Sequence, residues 1–204
     1  MTPVEERVKE IKQTFRQMMD GAVAKSMRDK GMDYKLNWGA TVPRLRQQAD
    51  AIGYDYDLAI ALWKENVREC KILATMLMPP EKMLPEVCDI WMQQMPTQEI
   101  AEQAAFNLWQ HLPYAAQKAF QWIACEQELY QLCGFHVLTR LFRNGQEPNE
   151  RGINEFVDQA QAAIHGPSLP VRKAAMQSLQ QFAALGLVYE RIAGHVLKDF
   201  NGSM

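Results

Sequence analysis

The segment PTQEIAEQAAFNLWQHLP, residues 96–113, carries the pattern of one amphipathic helix. Thr97 suits the position before the first turn, where its side-chain oxygen can accept a hydrogen bond from a backbone amide. Ile100, Ala104 and Leu108 recur at helical spacing. This narrow apolar stripe predicts a short helix that packs against neighbouring helices through one small face.

Two acidic residues, Glu99 and Glu102, lie on the polar side of this helix. Glu99 falls in the first turn, where the helix dipole favours a negative charge. Because the two residues are three positions apart, both carboxylates can share one face. The simplest interpretation is a solvated acidic surface, and a chemical role for either acid needs support from elsewhere in the chain.

Short helical patterns of the same kind recur along the whole chain. The predicted helices cover residues 3–20, 22–30, 43–52, 56–64, 67–78, 80–91, 113–124, 126–143, 149–164 and 187–200, with a further helix beginning after Ser168. Proline or glycine falls at most boundaries, and no run alternates apolar and polar residues over the length of a strand. The fold is therefore predicted to be all-α, with about ten helices.

Helices this short cannot each bury an apolar face alone. This predicts an α-solenoid, a superhelix in which neighbouring helix pairs stack on one continuous core. A closed helical bundle is the alternative, and the number of short helices argues against it. We expect a single domain over residues 1–200, followed by a short tail at residues 201–204.

The composition places the chain among ordinary globular proteins, with 48% hydrophobic residues and a formal net charge of −2. A strongly basic balance would have indicated nucleic acid, although a basic face can exist on a neutral protein. The start, MTPVEERVKE, lacks a signal-peptide pattern, and the most apolar stretch, residues 70–80, is too short to span a bilayer. These features predict a cytoplasmic protein without membrane partners.

The cysteines and histidines show no spacing typical of a metal or redox site. Cys70, Cys88, Cys125 and Cys133 form no CxxC pair, and each lies among apolar residues in a helical pattern. This favours buried free thiols over disulfides or zinc ligands. The motifs HExxH, GxSxG, Walker A and GxGxxG are absent from the sequence. No metal site and no cofactor are therefore predicted.

Four stretches in a fixed order carry the pattern of a known family. They are WGATVPRLRQQA (residues 38–49), LAIALWKENVRECKILATMLMPPEKM (58–83), EQAAFNLWQHLPYAAQKAFQWIACEQELYQLCGF (102–135) and, more weakly, LPVRKAAMQSLQQFA (169–183). Together they resemble the AlkD-type bacterial DNA alkylation repair family.

The resemblance implies a fold of HEAT-like helical repeats and the activity of a DNA glycosylase, which excises positively charged N3- and N7-alkylated purines from duplex DNA. In that family a basic concave face holds the phosphate backbone. An aspartate with aromatic neighbours stabilises the cationic sugar as the base leaves. Because the alkylated base is already a good leaving group, a carboxylate near the oxocarbenium-like centre supplies most of what the reaction needs.

By this resemblance the family's acid corresponds to Glu102, which is one methylene longer than aspartate and is the candidate catalytic residue. Its aromatic and arginine partners are replaced in this sequence. The replaced positions are Gln98 and Gln177 for tryptophans, and Gln131, Leu132 and Gln180 in the arginine-bearing segments. This pattern implies that alkylpurine excision is weakened or lost.

Several cations are candidates for contacts with the phosphate backbone. They are Arg44, Arg46, Lys64, Arg68, Lys71, Lys118, Arg140, Arg143, Arg172 and Lys173, of which the last two match a basic pair of the family. Helix N-terminal amides would assist such binding, and ion pairs with neighbouring acids are the alternative. Trp38, in a loop with Gly39, is the candidate for stacking, because tryptophans at helical spacing are more often found in cores.

Two hypotheses about function follow from these features. The first is a DNA-binding member of the repair family, with residual or altered glycosylase activity on duplex DNA. The second is a non-catalytic α-solenoid that serves as an interaction scaffold for a protein partner, as the lost aromatic residues and the net charge of −2 suggest. The sequence leaves open whether the protein is an enzyme.

Overall fold

The computed structural model describes residues 2–202, with side chains described for residues 2–197. This part of the chain contains twelve α-helices and two 3₁₀ turns, and no strand occurs within it. The helices are α1 (Pro3–Gln17), α2 (Gly21–Asp29), α3 (Val42–Ile52), α4 (Tyr56–Lys64), α5 (Arg68–Leu77), α6 (Pro85–Gln93), α7 (Gln98–Asn107), α8 (Ala115–Ile123), α9 (Glu128–Arg143), α10 (Glu150–Ile164), α11 (Leu169–Ala183) and α12 (Leu187–Gly202). The all-α prediction is confirmed.

The chain divides into two compact units, Met1–Leu108 with α1–α7 and Trp109–Met204 with α8–α12. The single domain expected over residues 1–200 stays a prediction. The expected tail at residues 201–204 is helical at its first two residues, and Ser203 and Met204 lie outside the described residues. Among the described helices, none combines the length and the apolar character needed to cross a membrane.

Side-chain caps determine where several helices begin. Asp55 accepts a hydrogen bond from the backbone amide of Leu58 at the start of α4, and Thr97 accepts one from Ile100 at the start of α7. Ser168 caps α11 in the same way. Each cap satisfies an amide that has no partner within its own helix, which is why these polar residues mark the boundaries that the sequence predicts.

Two predicted helix boundaries differ from the observed ones by five residues or more. The helix expected to begin at Pro80 begins at Pro85, after a 3₁₀ turn at Pro80–Lys82. Proline inside a helix lacks a backbone donor and clashes with the preceding turn, so Pro85 is tolerated only at the helix start. The segment 96–113 is also not one helix, because α7 ends at Asn107 and a 3₁₀ turn follows at Trp109–His111.

Helix α5 forms the core of the first unit, and all ten of its residues are buried. Helices α3, α4 and α7 pack against it. Four of its buried side chains are polar or charged, namely Arg68, Glu69, Lys71 and Thr75. A buried polar group is costly unless it has hydrogen-bonding partners. The polar residues of α5 therefore constrain which groups the surrounding helices and loops must present to them.

Helix α9 has a similar place in the second unit, where it packs against α8 and α11. The approach of α8 to α9 is close at Gly134. A Cβ atom added there would lie 2.6 Å from Ile123 Cγ2 and 2.8 Å from the carbonyl oxygen of Ala119. Because backbone atoms of α8 block this space, only glycine fits without moving the two helices apart.

We expect Gly134→Ala to lower the free energy of unfolding by about 2 kcal/mol, as overpacking of a close contact does. Gly194→Ala is the matched control, because Gly194 lies inside α12 and a Cβ there would meet no atom within 4 Å. That control should raise stability by about 0.5–1 kcal/mol through helix propensity. Urea unfolding of both variants measures the two effects, and equal effects of the same sign would contradict the packing argument.

Candidate functional site

Two predicted site residues, Gln98 and Glu102, lie one turn apart on α7. Gln98 is exposed and Glu102 is half-buried. The amide nitrogen Nε2 of Gln98 donates a hydrogen bond to Glu102 Oε1 at 2.9 Å. The candidate acid therefore has a neutral amide beside it, at the position that the family resemblance assigns to a tryptophan.

Glu99, in the first turn of α7, has a different environment. Its carboxylate accepts two hydrogen bonds from Arg68, from Nε at 2.8 Å and from Nη2 at 2.5 Å. The hydroxyl of Tyr34 donates a third at 2.5 Å. Arg68 is only 1% exposed, so this is a bidentate ion pair largely shielded from water. The solvated acidic face expected for Glu99 and Glu102 is thus wrong at Glu99.

Glu69 extends this ion pair into the loop that precedes α3. Its carboxylate, fully buried, accepts hydrogen bonds from the backbone amides of Trp38 at 3.1 Å and Ala40 at 3.2 Å. Arg68 Nη1 donates to Glu69 at 3.2 Å and to the carbonyl oxygen of Ala40 at 2.8 Å. The loop is therefore held on the polar start of α5.

The Trp38–Gly39 pair lies in this loop, and close contacts hold it in place. Gly39 has a φ of 75°, and a Cβ there would lie 2.1 Å from the carbonyl oxygen of Asp20. The Trp38 ring is half-buried, with the guanidinium carbon of Arg16 5.5 Å from its centroid. The structure therefore gives Trp38 a place in a packed loop, and a stacking role for its ring stays a prediction.

The protonation states in this cluster follow from burial and charge. Burial alone would raise the pKa of Glu99, but the hydrogen bonds and positive charge of Arg68 outweigh it, and the pKa is lowered. Burial raises the pKa of Tyr34, and its hydrogen bond to the Glu99 carboxylate raises it further. At neutral pH the cluster therefore contains a charged Glu99 and a protonated Tyr34 that donates to it.

Arg46, a predicted phosphate contact on α3, is held by a chain of side chains. Its Nη2 donates to Asn107 Oδ1 at the end of α7, and Asn107 Nδ2 donates to Thr75 Oγ1 on α5 at 2.9 Å. The guanidinium carbon lies 5.8 Å from the ring centroid of Phe106. Arg44, two residues earlier, is exposed. These two arginines place positive charge at the surface of α3.

Two other predicted phosphate contacts are not accessible in the structure. Lys71 is 7% exposed, and its ammonium donates to the carbonyl oxygen of Trp63. The ammonium nitrogen also lies 4.4 Å from the centroid of the Trp63 indole ring. Burial lowers the pKa of Lys71. Arg68 is buried in its ion pair with Glu99. Arg68 and Lys71 are therefore no longer candidates for phosphate contacts, because neither cation faces solvent.

The second unit places three predicted residues together on α11. Arg172, Lys173 and Gln177 are exposed, and Lys173 and Gln177, four residues apart, share one face of the helix. Lys118 on α8 is half-buried. The replaced tryptophan position at Gln177 thus lies at the surface, beside a pair of cations.

Two further replaced positions, Gln131 and Leu132, have structural roles. The side-chain amide of Gln131 donates to the carbonyl oxygen of Cys125 at 2.8 Å, which secures the turn before α9. Leu132 is 1% exposed and belongs to the core. Neither side chain presents a cation in place of the arginine pair that the resemblance implies.

The cysteines are free thiols, as predicted. Cys70, Cys88 and Cys133 are buried, and Cys125 is half-buried. Burial raises the pKa of Cys70 to about 12, so this thiol stays protonated at neutral pH and is a poor nucleophile.

The pairing of Arg68 with Glu99 and Tyr34 is absent from the sequence-based expectations. One signal could have indicated it. Arg68 and Glu69 directly precede the most apolar stretch of the chain, residues 70–80, and Lys71 lies within it. Charged residues within a buried helix need partners, so other polar residues had to be placed against them.

We expect Glu99→Gln to lower the free energy of unfolding by about 3 kcal/mol, because it removes the bidentate partner of the buried Arg68 cation and leaves only Glu69 to neutralise it. Glu86→Gln, at an exposed acid in the first turn of α6, is the matched control and should change stability by less than about 0.5 kcal/mol. Urea unfolding at pH 7 compares the two. Similar losses in both variants would contradict a special role for the Arg68–Glu99 pair.

The same pair predicts a dependence of stability on pH. Since the folded-state pKa of Glu99 is lowered from its ordinary value of 4.5, its contribution is complete above that value. The contribution is lost as the pH falls through the lowered pKa. The difference in unfolding free energy between wild type and Glu99→Gln should therefore be constant near neutrality and shrink below pH 4.5. A difference that stays constant down to pH 2.5 would contradict this assignment.

Comparison with known proteins gives one family and one related fold. The family described as DNA alkylation repair enzyme matches residues 11–184. No curated protein matches the chain. A solved structure described as "a new family of proteins related to the HEAT-like repeat DNA glycosylases with affinity for branched DNA structures" superposes with a TM-score of 0.83. It is 18% identical, and the match covers 93% of this chain and 81% of that chain.

The structural likeness confirms the predicted α-solenoid of HEAT-like repeats, since two chains of such low identity superpose over most of their lengths. The family match extends over far more than half of the sequence. The chain belongs to the DNA alkylation repair enzyme family.

Proposed function

We propose that this protein binds DNA through surface cations, prefers branched DNA, and does not excise alkylated purines efficiently. Membership of the DNA alkylation repair family supports the binding. The hydrogen bond from Gln98 to Glu102 is the main observation that supports the proposed loss of excision. An amide occupies the place where the chemistry would need an aromatic face beside the acid.

The binding would depend on local positive charge, because the chain as a whole has a net charge of −2. Arg44 and Arg46 supply such charge on α3, and Arg172 and Lys173 supply it on α11. Cations that neutralise phosphates release condensed counterions, which makes DNA affinity strongly salt-dependent. A globally neutral protein with local cations is compatible with this mode of binding.

The preference for branched DNA is drawn from the structural relative. That protein's family is described as having affinity for branched DNA structures, and its fold is similar to this one. An α-solenoid presents an extended surface, which suits a long or forked duplex better than a small ligand. Phosphate contacts of this kind fix position on DNA and carry no sequence information, so we expect recognition of shape.

Efficient excision would require Glu102 to stabilise the cationic sugar as the purine leaves. The Glu102 side chain is one methylene longer than the aspartate of the family that the sequence resembles. Loose positioning of the carboxylate charge weakens catalysis. Part of its negative charge is already satisfied by Gln98. At Gln98 an amide stands in place of an aromatic ring that the family resemblance implies beside the cationic sugar. These features together support binding without turnover.

The binding proposal is tested by fluorescence anisotropy with a four-way junction and a linear duplex of equal length, from 50 to 200 mM salt. If four cations each neutralise one phosphate, we expect a log–log salt slope of about −3 to −4. Arg44→Gln and Arg172→Gln should each reduce the slope by about 1, whereas Lys25→Gln, an exposed control on α2, should not. Absence of binding at low salt would favour the protein-interaction scaffold instead.

The excision proposal is tested by release of free base from duplex DNA that carries N7-methylguanine, under single turnover with excess protein. We expect release no faster than the spontaneous rate, both for wild type and for Glu102→Gln. Release that is fast in wild type and abolished in Glu102→Gln would overturn the proposal and make Glu102 a catalytic residue.

A further inference from the structure

Phe106 is an apolar ring on the polar side of α7. The buried stripe of this helix contains Ile100 and Ala104, and Phe106 lies on the opposite side with Glu99 and Glu102. Its ring is 43% exposed, whereas Trp63 and Trp109 are buried in the core. The exposed part of the Phe106 ring can therefore reach a ligand, whereas the buried tryptophans cannot.

Arg46 is held against this ring in a fixed orientation. Its guanidinium carbon lies 5.8 Å from the Phe106 centroid, and its Nη2 is bound to Asn107, the next residue along α7. Asn107 is itself held by Thr75 on the buried helix α5. The cation and the ring are therefore presented together, and little side-chain freedom is lost when a ligand binds.

The space around Arg46 is open enough for a nucleotide. A surface cavity of about 290 Å³ adjoins its side chain and is lined by Tyr54, Met76 and Asp50. Tyr54 is 67% exposed, so a second aromatic ring lies at this surface. Asp50 would repel a phosphate inside the cavity. Arg46 donates to Asn107 through Nη2, so a phosphate would contact the edge of the guanidinium that carries Nε and Nη1.

We propose that Phe106 and Arg46 form a binding site for an unpaired nucleotide at a DNA branch point. This inference rests on the proposed DNA binding and names the feature of branched DNA that is recognised. The Phe106 ring stacks on the exposed face of the base, and the Arg46 guanidinium contacts the adjoining phosphate. A base in a fully paired duplex has no free face, so the ring contributes only where pairing is interrupted.

The test compares two DNA probes of equal length, a fork with two unpaired bases at its branch point and a fully paired linear duplex. Phe106→Leu keeps an apolar side chain and removes the aromatic face. We expect it to weaken binding to the fork about tenfold, as the loss of one stacked base does, and to change duplex binding less than twofold. Phe106→Trp should restore binding to the fork. Anisotropy titrations at constant salt measure the affinities of wild type and both variants for the two probes.

Arg46→Gln separates the two parts of the site. It should weaken binding to both probes and reduce the salt slope by about 1, because a phosphate contact is lost. Phe106→Leu should leave the slope unchanged. Leu84→Ala is the control for an exposed apolar residue elsewhere in the first unit, since Leu84 is 59% exposed. It should change neither affinity.

Each outcome discriminates between the two proposals. If wild type binds both probes and Phe106→Leu binds the fork equally well, the unpaired-base site is overturned while DNA binding stands. If Phe106→Leu weakens fork and duplex equally, the ring contributes only general packing and the site is again overturned. If wild type binds neither probe at low salt, both proposals fail.

Discussion

The ion pair between Arg68 and Glu99 is the interaction on which the first unit depends. Helix α5 is buried along its whole length, so the Arg68 guanidinium cannot reach water and must be neutralised by a neighbour. Glu99 supplies the charge from the first turn of α7, and Glu69 completes the set of acceptors. Because Glu69 also binds the backbone amides of Trp38 and Ala40, one buried cation links two helices and a loop.

The polar side of α7 is thereby divided into three environments. At its start, Glu99 is closed into an ion pair and has a structural role. One turn on, Glu102 remains half-buried, with the Gln98 amide as a neighbour. At its end, Phe106 is exposed beside the fixed Arg46 guanidinium. A residue that resembles a catalytic acid thus lies on one helix between a buried ion pair and an exposed ring beside an arginine.

The sequence allows the helices and their caps to be predicted because those features are local. Thr97 is recognisable as a cap from the four residues that follow it. The partner of Arg68 is not local, since Glu99 is 31 positions away and Tyr34 is 34 positions before the arginine. For the same reason the sequence predicts a surface position for Lys71, because its charge is visible and its tertiary contacts are not. Only the packing of α5 shows that the side chain is buried. Local patterns predict elements, and tertiary contacts decide which charges are available for binding.

We infer that DNA binds to the surface of α3 and α7 that carries Arg46 and Phe106, and that the buried Arg68–Glu99 pair supports this surface. The measurement to make first is a nuclear magnetic resonance titration of the ¹⁵N-labelled protein with forked DNA. Amide shifts should concentrate at residues 44–46 and 102–107, and the Arg68 side-chain resonances should stay in place. Shifts absent from α3 and α7, under conditions where the fork is bound, would contradict it.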